Sequence, residues 1–367
     1  MDEQQAPEES SQIPEQPKSR GRLKNKKLWA VLLIILGLAI FFVWSTHHGK
    51  KAGETPKPGI SQSTTLPAQG ELKLDENKNY GDKYADGILP VGDGKYTTKG
   101  AKKGHVYVCS QYAKNLGNSQ QEGAQTRGPW FTNDNKSYDI NKKIAVKGNV
   151  SWPSSIQNIL SGSKRNITTN DLPVHKTGIF PIPMNDPAYR YDRNPNAISS
   201  QNLMYELNAD PSYGQPSCVS GEIGVMLSGV ALFSGFDADG RDAGAWETQD
   251  SCQGHPQSSG EYHYHTLSSC IKDISVNKVI GFALDGFPIT GPKVGEKNYL
   301  TTSDLDKCHG ITSQVVLDGT KVIIYHYVMT QDFPYSISCF RGKAITPPGQ
   351  KAKQPGGAQG VVSPPAL

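Results

Sequence analysis

The sequence predicts an all-β or β-rich fold, with sandwich-like antiparallel sheets joined by long loops and one transmembrane helix ahead of them. Three observations carry that expectation. Short β-branched or aromatic runs, each bounded by Gly, Asn, Asp or Pro, recur between Tyr80 and Ala344. The pair Asp318-Gly319 sits between two apolar runs, where the positive φ angles of a tight hairpin turn are needed. A charge-free apolar segment, Leu28–Trp44, follows a cluster of basic residues.

Residues 1–27 begin acidic and Pro-bearing and end basic, with few apolar side chains, and read as a disordered cytoplasmic tail. Leu28–Thr46 reads as the membrane span. About 19 residues rising about 1.5 Å each cover about 28 Å, close to a hydrocarbon core of about 30 Å. Trp29 and Trp44 stand at its two ends, where amphipathic rings favour the headgroup boundary, and Lys18, Arg20, Arg22, Lys24, Lys26 and Lys27 hold the N-terminus inside. The segment is apolar all round, unlike a core-packed helix with a polar stripe. Ser45, Thr46, His47 and His48 offer no small-x-small cleavage site, so a retained signal-anchor is expected. His47 and His48 read as interfacial polar residues. Residues 47–79, rich in Lys, Pro, Ser, Thr and Gln, read as a flexible stalk. Residues 80–345 form the expected extracytoplasmic domain, and 346–367, dominated by Pro, Gly, Gln and Ala, a second disordered tail.

Within the domain, the expected strands are His105–Cys109, Ile144–Trp152, Ile223–Phe233, Val279–Leu284 and Lys321–Met329. The most helix-like stretch, Ser154–Leu160, is too short to change the class. Glycine (38) and proline (25) are mixed among Tyr, Val and Ile rather than gathered in one run, which suits many short strands and turns. The net charge of +4 is small and biased toward the N-terminal basic cluster, and no basic stripe or reading motif is present, so no nucleic-acid partner is expected. No nucleophile elbow, phosphate loop or dinucleotide fingerprint occurs in the right context, which argues against the familiar serine hydrolases, kinases and dehydrogenases.

Six cysteines, Cys109, Cys218, Cys252, Cys270, Cys308 and Cys339, all follow the apolar segment, and none forms a C-x-x-C pair. Three disulfides are expected rather than thiolate zinc. Two stretches share a frame. Asp250-x-Cys252-x-Gly254, Tyr262-His263-Tyr264 and Cys270 match Asp306-x-Cys308-x-Gly310, Tyr325-His326-Tyr327 and Cys339. They suggest two related hairpin-like units, each closed by its own disulfide, which leaves Cys109 to pair with Cys218; six cysteines nevertheless allow 15 arrangements.

In a strand, side chains alternate faces, so His263 and His265 emerge together and Tyr262 and Tyr264 opposite. With His255 folding back as a third nitrogen, the set suits zinc or copper(II). His326 is the spare candidate, with His309 behind it. Asp242, Glu247, Asp250 and Asp285 are candidates to orient the imidazoles from the layer behind. Isolated histidines such as His105 and His175 usually serve structure, and the tyrosines suit core packing better than radical chemistry. Asp237-Ala-Asp239-Gly240-Arg241-Asp242 departs from the EF-hand frame.

The tetrapeptide Tyr262-His263-Tyr264-His265, with Gly92-Asp-Gly94, Gly240-Arg-Asp-Ala-Gly244, Asp250–Pro256, Gly281–Ile289 and Asp332-Phe-Pro-Tyr335, resembles the YHYH domain family over most of residues 85–343. The resemblance implies an extracytoplasmic domain without an established activity. It departs from the family pattern at Trp246, where relatives have His, and at Thr290, where an aromatic residue is expected. Function then divides between a metal site on His255, His263 and His265 and a non-catalytic surface module for glycan, cell wall or protein. A hydrolase with Asp242 and Glu247 as acid and base ranks last.

Overall fold

The computed structural model describes residues 72–112 and 126–348. The expected cytoplasmic tail, the Leu28–Thr46 segment, His47, His48, most of the expected stalk and nearly all of the expected C-terminal tail lie outside those residues. Among the described residues no helix is long and apolar enough to cross a membrane.

The chain forms β1 (Ile88–Pro90), β2 (Tyr96–Thr97), β3 (Val106–Tyr107), β4 (Ser137–Asp139), β5 (Ile156–Ser161), β6 (Lys164–Thr169), β7 (Leu203–Asn208), β8 (Glu222–Met226), β9 (Ala231–Phe233), the short helix α1 (Ala243–Trp246), β10 (Gly254–Pro256), β11 (Tyr262–Tyr264), β12 (Val279–Ala283), β13 (Pro288–Thr290), β14 (Gly310–Leu317) and β15 (Thr320–Val328). β-Rich architecture follows from patterning. On β7, buried Leu203, Tyr205 and Leu207 alternate with exposed Met204, Glu206 and Asn208, the period of a half-buried strand. β8 and β12 are buried throughout and, apart from Glu222 at the start of β8, read as continuous apolar runs. The inner residues of β6 and β7 share one hydrophobic cluster with β8, β12 and the tyrosines of β11 and β15.

Eight strands form the central sheet in the order β10-β11-β9-β8-β12-β13-β15-β14. That order reads the same from both ends. In the first half the hairpin β8–β9 is followed by the hairpin β10–β11, with β11 parallel to β9; in the second, β12–β13 is followed by β14–β15, with β15 parallel to β13. The halves join where β8 and β12 pair antiparallel, Gly281 opposite Met226, Phe282 opposite Val225 and Ala283 opposite Gly224. Finer details repeat as well. Leu227 N donates to Ile280 O and Leu284 N to Ile223 O, and the hairpin turns use Gly229 and Gly286 at φ 91° and 93°. The sheet is therefore a duplicated unit related by a pseudo-two-fold axis through the β8–β12 seam.

Several local expectations need correction. Ile223–Phe233 is two strands, because Gly229 turns the chain between them. Ile144–Trp152 makes isolated bridges rather than a ladder, Val146 with Asp250 and Val150 with Thr177; polar Lys147-Gly148-Asn149 interrupts it, with Gly148 pressed against the Gly178–Ile179 backbone. Ser154–Leu160 largely forms β5, an antiparallel edge strand. Two of the seven neighbour pairs of the central sheet are parallel, since each half docks its second hairpin beside the first. Leu72–Leu74 at the end of the expected stalk already hydrogen-bonds to Thr312 of β14. Asp318 (φ 50°) and Gly319 (φ 78°) make the expected tight turn between β14 and β15. All three disulfides pair as the repeated frame suggested: Cys109–Cys218, Cys252–Cys270 and Cys308–Cys339.

Candidate metal centre

The β10–β11 hairpin places the three histidines. His255 lies directly opposite His263 in the antiparallel register, and His265 follows one step beyond Tyr264. Alternation does the rest: His263 and His265 share one face, with ring centroids 4.9 Å apart and His255 4.5 and 5.5 Å away. The loop ahead of β10 is organised by Asp250, whose carboxylate accepts from the Cys252, Gly254 and Gly178 amides and from the Tyr262 hydroxyl. That loop is tied to the far end of the hairpin by Cys252–Cys270.

A fourth group reaches the cluster from α1. Asp242 caps that helix, and Glu247 at its end swings its carboxylate into the histidines. Glu247 Oε2 lies 3.3 Å from His255 Nε2 and 3.2 Å from His265 Nε2, while His263 Nε2 lies 3.1 Å from His265 Nε2. The edges of a tetrahedron with bonds of about 2.0–2.1 Å are about 3.3–3.4 Å, and these three spacings lie close to that length.

Proton accounting sharpens the point. His263 Nδ1 lies 3.2 Å from the Glu261 carbonyl and His265 Nδ1 2.6 Å from the Ser234 carbonyl. A carbonyl oxygen only accepts, so both Nδ1 atoms carry the proton, and in the neutral rings both Nε2 atoms present lone pairs. Two lone pairs and a carboxylate oxygen then face one another, with both ring nitrogens of His255 and Glu247 Oε2 lacking a hydrogen-bond partner. Buried acceptors without a donor are costly, and a cation between the Nε2 atoms of His263 and His265 and Glu247 Oε2 would satisfy those three together. The carbonyls hold the rings as outer partners of metal-bound imidazoles do.

The centre is enclosed. Side-chain exposure is 6% for His255, 4% for His265 and 11% for Glu247, and the Phe233 ring lies 4.2 Å from that of His263. Burial and then the neighbouring imidazoles of His255 and His265 push His263 well down, and burial also lowers His265. Burial opposes ionisation of Glu247, but His255 and His265 outweigh it and hold the carboxyl well below the usual range. His255 is raised: burial disfavours its charge, and the Glu247 carboxylate more than compensates. Beside the cluster, burial lowers Lys143 to about 8; its Nζ donates to Gly244 O at 2.5 Å and Gln249 Oε1 at 2.7 Å.

Of the expected residues, His255, His263 and His265 therefore come together, and Glu247 contacts two of them directly. His326 does not join them. It stands at the place of His263 in the second half, but Ile311 replaces His255 opposite it and Val328 replaces His265 beyond Tyr327. Its nitrogens engage Thr290 Oγ1 at 2.9 Å and Ser313 Oγ at 2.8 Å. His309 likewise contacts Thr330 Oγ1 at 3.0 Å. Asp242, Asp250 and Asp285 orient no imidazole: Asp242 accepts from Gly92 N and Tyr335 OH, and Asp285 from Tyr327 OH and the Arg341 and Gly342 amides. Trp246 points its indole N–H to Asp93, away from the centre. The carbonyls of Glu261 and Ser234 carried no signal in sequence, because backbone acceptors have none.

The fold and site together define a duplicated β-sheet domain with a buried cluster of three imidazoles and one carboxylate in one half. Residues 204–301 match the family model described as YHYH protein, a stretch that contains all four clustered side chains and ends before β14. Over that stretch the chain is similar to the YHYH family. No curated protein and no solved structure matches it.

Proposed function

We propose that this chain is a membrane-anchored, extracytoplasmic metal-binding domain, with zinc or copper(II) held by His255, His263, His265 and Glu247. The observation that carries the metal reading is the gathering of three imidazole nitrogens within 4.8 Å of one another, with Glu247 Oε2 3.3 Å from His255 Nε2 and 3.2 Å from His265 Nε2. Borderline imidazole nitrogens with one carboxylate suit these two ions over calcium or magnesium, which take oxygen ligands. A centre closed by four protein donors and nearly shut to solvent is suited to retaining its ion; catalytic zinc sites keep a position open. The anchor rests on the Leu28–Thr46 segment with its basic flank, and three disulfides suit an oxidising compartment.

Elemental analysis of the full-length chain, purified in detergent under oxidising conditions, tests the reading. About one zinc or copper per chain is expected, and none in the His263→Ala/His265→Ala variant. Equal metal content in the two proteins sinks it. Alkaline extraction of membranes tests the anchor separately, since a chain released by that treatment is not embedded.

A further inference from the structure

We infer that the Cys252–Cys270 pair and His175 form a second, redox-gated metal site on the opposite face of the YHYH strand, open only when that disulfide is reduced. The two sulfurs and an imidazole nitrogen of His175 lie within 4.8 Å of one another. Among the described residues no other disulfide belongs to such a group. The comparison within the molecule is direct, because Cys308–Cys339 occupies the related frame in the second half and forms no such group, the neighbouring His309 contacting Thr330 Oγ1 instead.

His175 is held in place from both sides. Its Nδ1 lies 2.9 Å from the Lys176 carbonyl, which assigns the proton to Nδ1, and its Nε2 takes a short hydrogen bond from the Tyr264 hydroxyl. Tyr264 projects opposite His263 and His265, so one strand carries ligands of the first centre on one face and the hydroxyl that positions His175 on the other. Cys252 Sγ lies 3.4 Å from the Lys176 carbonyl, on the same short segment as His175. Cys252 is buried, whereas His175 and Cys270 are partly accessible, so a reductant can approach.

The chemistry balances as follows. A dithiol reduces the disulfide with two electrons and is itself oxidised to a disulfide, leaving a proton on each cysteine sulfur. Binding of a divalent cation then releases those two protons to solvent, and His175 Nε2 exchanges the Tyr264 hydroxyl for the ion. Two thiolates and one imidazole with a fourth position left over suit zinc or another thiophilic ion. This inference does not rest on the three-histidine centre.

Cobalt(II) separates the two sites, because thiolate ligands give a charge-transfer absorption that imidazole and carboxylate ligands do not. The full-length chain is titrated with cobalt(II) under argon before and after phosphine reduction, continued until alkylation mapping finds Cys252 and Cys270 open. One additional cobalt per chain and the thiolate band are expected on opening. His175→Gln should abolish both while leaving cobalt uptake by the oxidised protein unchanged; His263→Ala/His265→Ala should do the reverse. Mapped opening without the band overturns the inference, as does an equal response in His175→Gln. Loss of the near-ultraviolet circular dichroism on opening overturns it too, since the site requires the hairpin to stand. Absence of cobalt from the oxidised wild type bears only on the first centre.

Discussion

Glu247 illustrates how much rests on one side chain. Its oxygen lies beside His255 and His265, and its charge would offset that of a cation held there. Glu247→Gln keeps an acceptor of the same shape but removes the charge, and metal affinity is expected to fall by at least about tenfold with an unchanged circular dichroism spectrum. Competition with a chromogenic chelator measures it, and unaltered affinity counts against the carboxylate as a ligand. The histidines were legible because strand alternation alone puts His263 and His265 together. Glu247 was legible only as one of four equivalent acids, because its place depends on α1 bringing the chain back over the hairpin. The other three acids cap turns and helix starts, which Asp does far more often than it orients a metal-bound imidazole.

At the level of hairpins, the repeated frame has a physical reason. In each copy an Asp carboxylate gathers the amides of the Cys and Gly that follow, and the first Tyr of Tyr-His-Tyr donates to the same Asp: Tyr262 to Asp250 at 2.9 Å and Tyr325 to Asp306 at 3.1 Å. The Tyr ring lies over the Gly, where a Cβ would meet it at 2.2 Å in both copies, so Gly254 and Gly310 admit no side chain. Tyr262→Phe and Tyr325→Phe should each destabilise by about 1.5–3 kcal/mol, the range for a bond to a charged acceptor. Lacking a shared partner, they should add within about 0.5 kcal/mol. Urea unfolding of the two single variants and the double variant measures this, and a strongly non-additive double variant would show that the halves are coupled there. Gly319→Ala, at φ 78°, should cost about 1–2 kcal/mol through the left-handed backbone alone. The disulfides and the Asp-Gly turn could be read from spacing; the parallel docking of hairpins could not, since it depends on long-range packing.

For the whole molecule, buried titratable groups set opposing pH limits. Burial lowers His309 to about 3, helped by the Lys103 charge, and His326 to about 4. The unfolded chain, with histidines near 6.5, binds more protons between those values. Stability from these two residues is therefore complete above about pH 6.5 and falls as pH drops toward 4. Glu222 behaves oppositely: burial first, then the charge of Glu261, raises it from 4.5 to about 8. Its contribution is full below 4.5 and is lost as pH rises through 8. Urea midpoints at pH 5, 7 and 9 should be highest at 7. His309→Gln/His326→Gln should flatten the acid limb and Glu222→Gln the alkaline limb; limbs unchanged by these substitutions would refute the assignment.

The seam between β8 and β12 has a consequence for how such a molecule can change. Each side of it meets its counterpart in the same register, which is the contact that two separate half-chains would make as a symmetric dimer. In such a dimer, Ile in place of His255 would abolish both centres together, because the subunits share one gene. Joined in one polypeptide, the copies are independent: one keeps its histidines, while the other fills the positions of His255 and His265 with Ile311 and Val328.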